Sequence, residues 1–468
     1  MILMTVNEFG LALPWLPADQ LLGWQQHVAT AQERANARGH PVLVSLTWAV
    51  AASDPLQRFA ALPAQDAFFW EQPDQGRAIV GLGAAASITT TGAGHIATAA
   101  QHWQKLLRDA VSSAPDSLTH APTGPLLFGG FAFDPLATHT ALWQAFPDGL
   151  LIVPEWVWRY EDGQATLTLS QLVGDDALNP EQQAYAPATT LPATSNASGG
   201  LRDAAWRNLV ATTTRQIRAG AYQKVVLARA ETVQHTIPFA IPAALAHLRE
   251  EYPAATVFAV RRGAQTFMGA TPERLARVQR GQLTTMALAG SARRGATTAE
   301  DVQIGHDFAL SAKIHDEHAI VVASIVHDLA PHCVVVQSAQ QPRLLKLQNV
   351  QHLETPINGE LLPGHSILDV IDAIHPTPAV GGFPRAAALA AIRAGEALDR
   401  GWYAGPLGWL DAAGDGEFMV ALRSALVQGE TATLFAGCGI VGDSDPVSEL
   451  AESRLKLQVM RRALSSAD

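Results

Sequence analysis

Leu407-Gly408-Trp409-Leu410, then Asp411 to Gly416, then Glu417-Phe418-Met419-Val420-Ala421-Leu422-Arg423-Ser424-Ala425-Leu426-Val427, then Gly429-Glu430 and Thr431 to Ile440: this stretch decides the fold class. Apolar runs alternate with Gly- and Asp-rich turns, which predicts an antiparallel meander of strands 407–410, 417–427 and 431–440. Elsewhere, helical periods separate groups of strands and do not alternate with them one for one. The expected architecture is therefore α+β, not a doubly wound parallel sheet.

On the C-terminal side of the meander, Asp445-Pro446 is a good cap followed by a good first residue, so a helix starts there. On the N-terminal side, the pattern predicts a helix over Ile367 to Ile374, strands over Cys333 to Gln337 and Arg343 to Leu353, and one long helix from Thr298 to Leu329, stopped by Pro331. Before it come strands at 256–260, 265–270 and 283–288, a helix near Pro242 to Glu250, and a helix capped by Asp203 that runs to about Ala219. Trp206, Leu209, Val210 and Ile217 share one stripe of that last helix. The first half alternates near Pro41 to Val50, is helical near Thr98 to Val111, and carries the glycine-containing strand Leu127 to Pro135, whose role is core packing. Residues Pro187 to Gly200 are small, polar and aperiodic, which makes them a linker or exposed loop. They divide the chain into an N-terminal α+β region, 1–195, and a C-terminal region, 200–465.

The 468 residues are 48% hydrophobic and 16% charged, with a formal net charge of −11. A large core is affordable; nucleic acid and anionic membranes are excluded as partners by the charge. Two cysteines rule out a disulfide framework and fit a reducing cytoplasm. Met1 to Leu16 lacks the basic start and apolar run of a signal peptide, and no apolar stretch is long enough to span a bilayer.

Lys224 opens the run Lys224-Val225-Val226-Leu227-Ala228-Arg229. With period two it shares a face with Val226 and Ala228, where an ammonium must lose its proton, find anions, or reach water at an edge. Glu449, Glu452 and Lys456 fall on one helical face, as either a solvated ion pair or a hard-oxygen site for Mg2+. His315 and His318, at i and i+3, suggest zinc, but without the spacing zinc hydrolases use. Glu317 would serve as a Mg2+ carboxylate if it faces the Glu452 helix. Glu273, in the turn after Pro272, is a surface residue or a general acid whose pKa is raised by burial and by Glu317 and Glu452. Arg423, read as mid-strand, is a carboxylate clamp or points to water.

Six blocks in order, namely Gln223 to Arg229, Gly269 to Leu275, Leu288 to Gly295, Lys313 to His318, His375 to Pro384, and Ala436 to Val441 followed by Glu449, Glu452 and Lys456, resemble the chorismate-using enzymes. That family includes isochorismate and salicylate synthases and the large subunits of anthranilate and aminodeoxychorismate synthases. The resemblance implies a single large unit of two antiparallel-rich sheets packed between helices, with 200–465 as the chorismate-binding region. Family members that add ammonia have glutamine where this chain has Lys224, so the resemblance implies an isomerase that adds water to chorismate and needs no glutaminase subunit. It implies Lys224 as base and Glu273 as acid. It also implies Mg2+ on Glu317, Glu452 and Glu449, carboxylate holding by Arg423, Lys456 and the backbone at Gly439, and contacts to the ring and side chain from Gly290 and His352. Ala379 looks like isochorismate synthases rather than the pyruvate-eliminating salicylate synthases. The long N-terminal half is similar to menaquinone-pathway members. Cys438, standing where a small residue is common, is expected to crowd the carboxylate site slightly. A zinc hydrolase and a non-catalytic binding protein of the same fold are the rival classes.

Overall fold

A computed structural model describes residues 18–115, 118, 123–174, 199–346 and 350–465. The 187–198 part of the expected linker and the N-terminal segment before residue 18 lie outside them. The described chain forms two large sheets, of 12 and 10 strands, almost wholly antiparallel. The larger runs from Gly382–Phe383 through Lys224–Gln234, Thr431–Ile440, Ser424–Gln428, Gln265–Thr271 and Thr256–Arg262 into N-terminal strands that end at Val42–Val50 and Val111–Ser113. The smaller runs from Cys333–Ser338 through Val350–Leu361, Gln282–Arg293, Arg274–Gln279, Gly416–Val420 and Pro406–Asp411 to Leu126–Phe131, Gly149–Val153 and Ala86–Thr90. The α+β class holds, and both sheets draw strands from both halves of the chain.

Alternation places one face of each sheet against the other. Phe68 of the larger sheet meets Phe128 of the smaller at 5.2 Å between ring centroids, and Trp70 meets Trp409 at 6.3 Å. Helices cover the outer faces. Leu245, Leu248, Leu457 and Met460 of the helices Ile241–Glu251 and Pro446–Ser465 pack on the outside of the larger sheet. The helices His95–Leu107, Ala312–Leu329 and Ile367–Ile374 flank the smaller one. The core reading of Leu127 to Phe133 holds: a Cβ added at Gly129 would stand 1.9 Å from the Leu150 carbonyl oxygen, so the neighbouring strand leaves no room there for a side chain.

Five local expectations are corrected. The strand 417–427 is two strands, Gly416–Val420 in the smaller sheet and Ser424–Gln428 in the larger, because the chain crosses between sheets at Ala421 to Arg423. The long helix is two, Thr298–Leu310 and Ala312–Leu329, because extended Ser311 ends the first and caps the second, its hydroxyl accepting from the Ile314 N–H. The 343–353 strand is a pair, Arg343–Lys346 against Val350–Leu361. The helix expected to reach Val111 ends at Leu107, and Val111 begins an edge strand. Asp203 is not a cap: its helix, Gly199–Arg218, begins four residues earlier, and its carboxylate instead pairs with Arg229 at 3.1 Å and with Arg454.

Candidate active site

Two crossovers between the sheets run side by side in opposite directions, and the site lies on that seam. Gln265–Thr271 passes through Pro272-Glu273 into Arg274–Gln279, and Gly416–Val420 passes through Ala421 to Arg423 into Ser424–Gln428. The crossovers are stitched together. Val420 N–H donates to the Glu273 carbonyl at 2.9 Å, the Thr271 hydroxyl to the Val420 carbonyl at 2.6 Å, and Ala270 N–H to the Arg423 carbonyl at 3.2 Å. Arg423 adopts φ 47°, a left-handed conformation that costs a non-glycine residue about 1 kcal/mol or more. Glu273 and Arg423 therefore enter one cavity of about 500 Å3 from adjacent crossovers.

Burial pushes the Glu273 carboxyl up from 4.5 to about 7, against the pull of Lys224, Lys456 and Arg423. Burial, the first part of the expectation, is the leading cause, and the charges named beside it are cationic. Lys224, first residue of Lys224–Gln234, lines the cavity with Val226, while Val225 and Leu227 lie in the core. The predicted alternation holds. Gly439, opposite Val226 in the neighbouring strand, gives the lysine its passage: an added Cβ would stand 3.1 Å from Lys224 Cε and 3.7 Å from Nζ.

The helix Pro446–Ser465 supplies the next wall. Its start is as expected, with Asp445 accepting from the Ser448 N–H at 2.8 Å. Lys456 Nζ bonds Glu452 at 2.7 Å and donates to the Gly437 carbonyl at 2.8 Å, so it is both the ordinary i,i+4 pair and a cavity cation. Glu449 accepts from the Ser444 hydroxyl at 2.8 Å, and burial raises its pKa. Among the described residues, Glu449, Glu452 and Cys438 bring their donor atoms within 4.8 Å of one another. Two carboxylates suit a hard cation. Burial pushes the pKa of the Cys438 thiol up to about 12, and a thiol is a softer donor than the two carboxylates beside it. The Glu317 side chain lies outside the described residues. Its helix, Ala312–Leu329, lines the cavity with Ile314, Ile320 and Val321.

The zinc reading fails locally. His315 Nε2 lies 2.7 Å from the Ala309 carbonyl oxygen, and His318 Nε2 lies 2.7 Å from the Thr355 hydroxyl. Burial lowers the His318 pKa to about 4. Neither belongs to a cluster of three metal-ligating groups among the described residues.

Chain-wide comparison settles the family. Residues 29–465 match the model of the chorismate binding enzymes. The chain belongs to this family. It is 40% identical to a salicylate biosynthesis isochorismate synthase of Pseudomonas aeruginosa, over 92% of each chain. It is 36% identical to isochorismate synthase MenF of Bacillus subtilis, over 94% of this chain and 97% of that one. The solved structure of the menaquinone-specific isochorismate synthase MenF of Escherichia coli superposes with a TM-score of 0.71 at 26% identity, covering 94% of this chain and all of that one. Relatives of this closeness over nearly the whole chain make it an enzyme of the isomerase type.

In this chorismate-binding enzyme the remaining expected residues also reach the cavity. Gly290, His352 and Ala379 line it, with His352 Nδ1 donating to the Gly290 carbonyl at 2.9 Å. Burial lowers the His352 pKa, keeping the ring neutral. Gly290 is required by its backbone and by its neighbours: φ is +71°, and a Cβ would meet Ile314 Cγ2 at 2.8 Å. Sequence reasoning missed Arg400 and Tyr403, which also line the cavity. Arg400 donates to the Val226 carbonyl at 2.7 Å and pairs with Glu396 at 2.8 Å, its guanidinium 4.1 Å from the Phe133 ring centroid. The available signal was a charged residue at the head of the aromatic, glycine-bounded run Gly401-Trp402-Tyr403-Ala404-Gly405.

Proposed function

We propose that this enzyme is an isochorismate synthase, which converts chorismate to isochorismate by adding water at C2 and expelling the C4 hydroxyl. The observation that carries the reading is Glu273, its carboxyl raised to about 7 by burial in the cavity that Lys224 also lines, so that an acid suited to neutral pH and an amine share one chamber. Lys224 removes a proton from water as its oxygen attacks C2. Glu273 gives its proton to the C4 oxygen, which leaves as water while the ring double bonds shift. The proton taken by Lys224 returns through solvent to Glu273, so the net reaction is an isomerisation. Arg423, Lys456 and the backbone at Gly439 hold the substrate carboxylates, and supply the local positive field that a chain of net charge −11 lacks overall. Gly290 and His352 bound the ring and the enolpyruvyl group, and Ala379 leaves the lyase-associated position without a hydroxyl.

Glu452, Glu317 and Glu449 are the residues that would hold Mg2+. When bound, the ion offsets the charge of the ring carboxylate. Residues 200–465 form the chorismate-binding catalytic region and 1–195 complete the sheets around it. The enzyme works without a glutaminase subunit, in the cytoplasm. Among the described residues no helix is long and apolar enough to cross a membrane. A salicylate-biosynthesis relative and a menaquinone-specific solved structure both match this chain over more than nine-tenths of its length, so a long N-terminal half does not by itself select the menaquinone pathway.

The test is incubation with chorismate and Mg2+, with products separated by chromatography. Isochorismate supports the assignment, salicylate with pyruvate replaces it by salicylate synthase, and binding without turnover replaces it by a binding protein.

A further inference from the structure

Away from the cavity, two histidines face each other where the smaller sheet meets its helices. His332 ends the short 3-10 turn Ala330–His332 that prolongs the helix Ala312–Leu329. His365 lies in the turn between the strand Val350–Leu361 and the helix Ile367–Ile374. Their backbones are tied before any ligand arrives: Leu362 N–H donates to the His332 carbonyl at 3.0 Å, and His365 N–H to the Leu362 carbonyl at 3.1 Å. Both residues are partly buried.

The two Nδ1 atoms are 3.3 Å apart, with ring planes 75° to each other. The contact is a hydrogen bond between the rings, longer than the roughly 2.7 to 3.2 Å of an ordinary one. With metal–nitrogen bonds of about 2.0 to 2.1 Å, two ligand nitrogens stand about 3.3 Å apart on a tetrahedral ion and about 2.8 to 2.9 Å apart on a square-planar one, so the pair already stands within about half an ångström of a chelating separation for either geometry. Asp372, on the following helix, lies within electrostatic range of His332, while Asp369 is taken up in capping that helix through Ser366.

We propose that His332 and His365 form a chelating site for a late first-row divalent metal ion, Cu2+, Ni2+ or Zn2+, bound through both Nδ1 atoms with water in the remaining positions. Neutral imidazoles select these ions over Mg2+, which takes oxygen ligands, so the site is chemically separate from the carboxylates of the cavity. Its position gives it a consequence. The helix ending at His332 lines the cavity through Ile314, Ile320 and Val321, and the helix after His365 leads to Pro378 and Ala379 on the same cavity. A metal across the pair ties these two walls together, and stabilises the folded chain by mass action.

The test uses Cu2+ as the probe, on metal-free protein with excess Mg2+ present, followed by electron paramagnetic resonance and by thermal unfolding. The expected result is one tight equivalent with hyperfine splitting from two nitrogens and a raised unfolding midpoint. Affinity should fall more than about tenfold in His332→Ala and in His365→Ala, because each removes one arm of the chelate. Gln replacements serve where the Ala variants do not fold. An unchanged titration and spectrum in the double variant overturns the site and leaves an imidazole–imidazole contact. Neither readout involves chorismate, so either result leaves the isochorismate assignment to its own test.

Discussion

Replacing Glu273 by Gln should make this protein more stable at alkaline pH while removing its activity. The Glu273 carboxyl is raised from 4.5 to about 7, so the folded state holds its proton more tightly than the unfolded state does. Between those values the folded chain binds the extra proton, and stability must fall as pH rises from about 4.5 to about 7, then level off. The loss is at most about 3 kcal/mol at 1.36 kcal/mol per unit, and about 2 to 3 kcal/mol once the contact with solvent in the cavity is allowed for. Glutamine keeps the neutral shape at every pH and escapes the loss. Urea unfolding followed by tryptophan fluorescence should show the variant and wild type within about 1 kcal/mol at pH 5, and the variant ahead by about 2 to 3 kcal/mol at pH 8. Isochorismate formation should drop by about 10²- to 10⁴-fold in the variant, and wild-type turnover should decline above pH 7 as the acid ionises. A stability difference independent of pH, or an active variant, would refute both the raised pKa and the acid role.

Lys224→Gln should abolish water addition, a loss beyond about a hundredfold in isochorismate formed, with the far-ultraviolet circular dichroism unchanged; retained product would name another base. Gly439→Ala places a methyl 3.1 Å from Lys224 Cε, and single-turnover rates should fall roughly ten- to a hundredfold as the ammonium is displaced. Gly129→Ala drives a Cβ to 1.9 Å from the Leu150 oxygen and should cost more than about 4 kcal/mol or leave no soluble protein, read by expression and thermal melting. EDTA should stop turnover and added Mg2+ restore it; full activity in chelator would remove the metal from the reading.

How much of this was legible beforehand depended on distance along the chain. The cap at Asp445, the shared face of Glu449, Glu452 and Lys456, and the alternation that separates Lys224 from Val225 are set within a few residues, and each was read correctly. Ser311 escaped because apolar periodicity continues across it, whereas the break comes from its own extended backbone and capping hydroxyl. Arg423 escaped for a related reason. Residues 417–427 are apolar enough for one strand, and nothing local says that Val420 and Ser424 hydrogen-bond to different sheets.

The sequence by itself determined the α+β class, most of the elements, and many of the residues that line the cavity, because caps, periods and motif blocks are short-range properties of the chain. Tertiary structure alone decided that Glu273 and Arg423 stand on neighbouring crossovers between two sheets, that desolvation is the leading cause of the raised Glu273 pKa, and that Arg400 and Tyr403 join the wall. Burial and charge at a point depend on everything packed around it. For Glu273 those neighbours are Lys224, Arg423 and Lys456, which lie about 50 to 180 residues away and meet only when both sheets close.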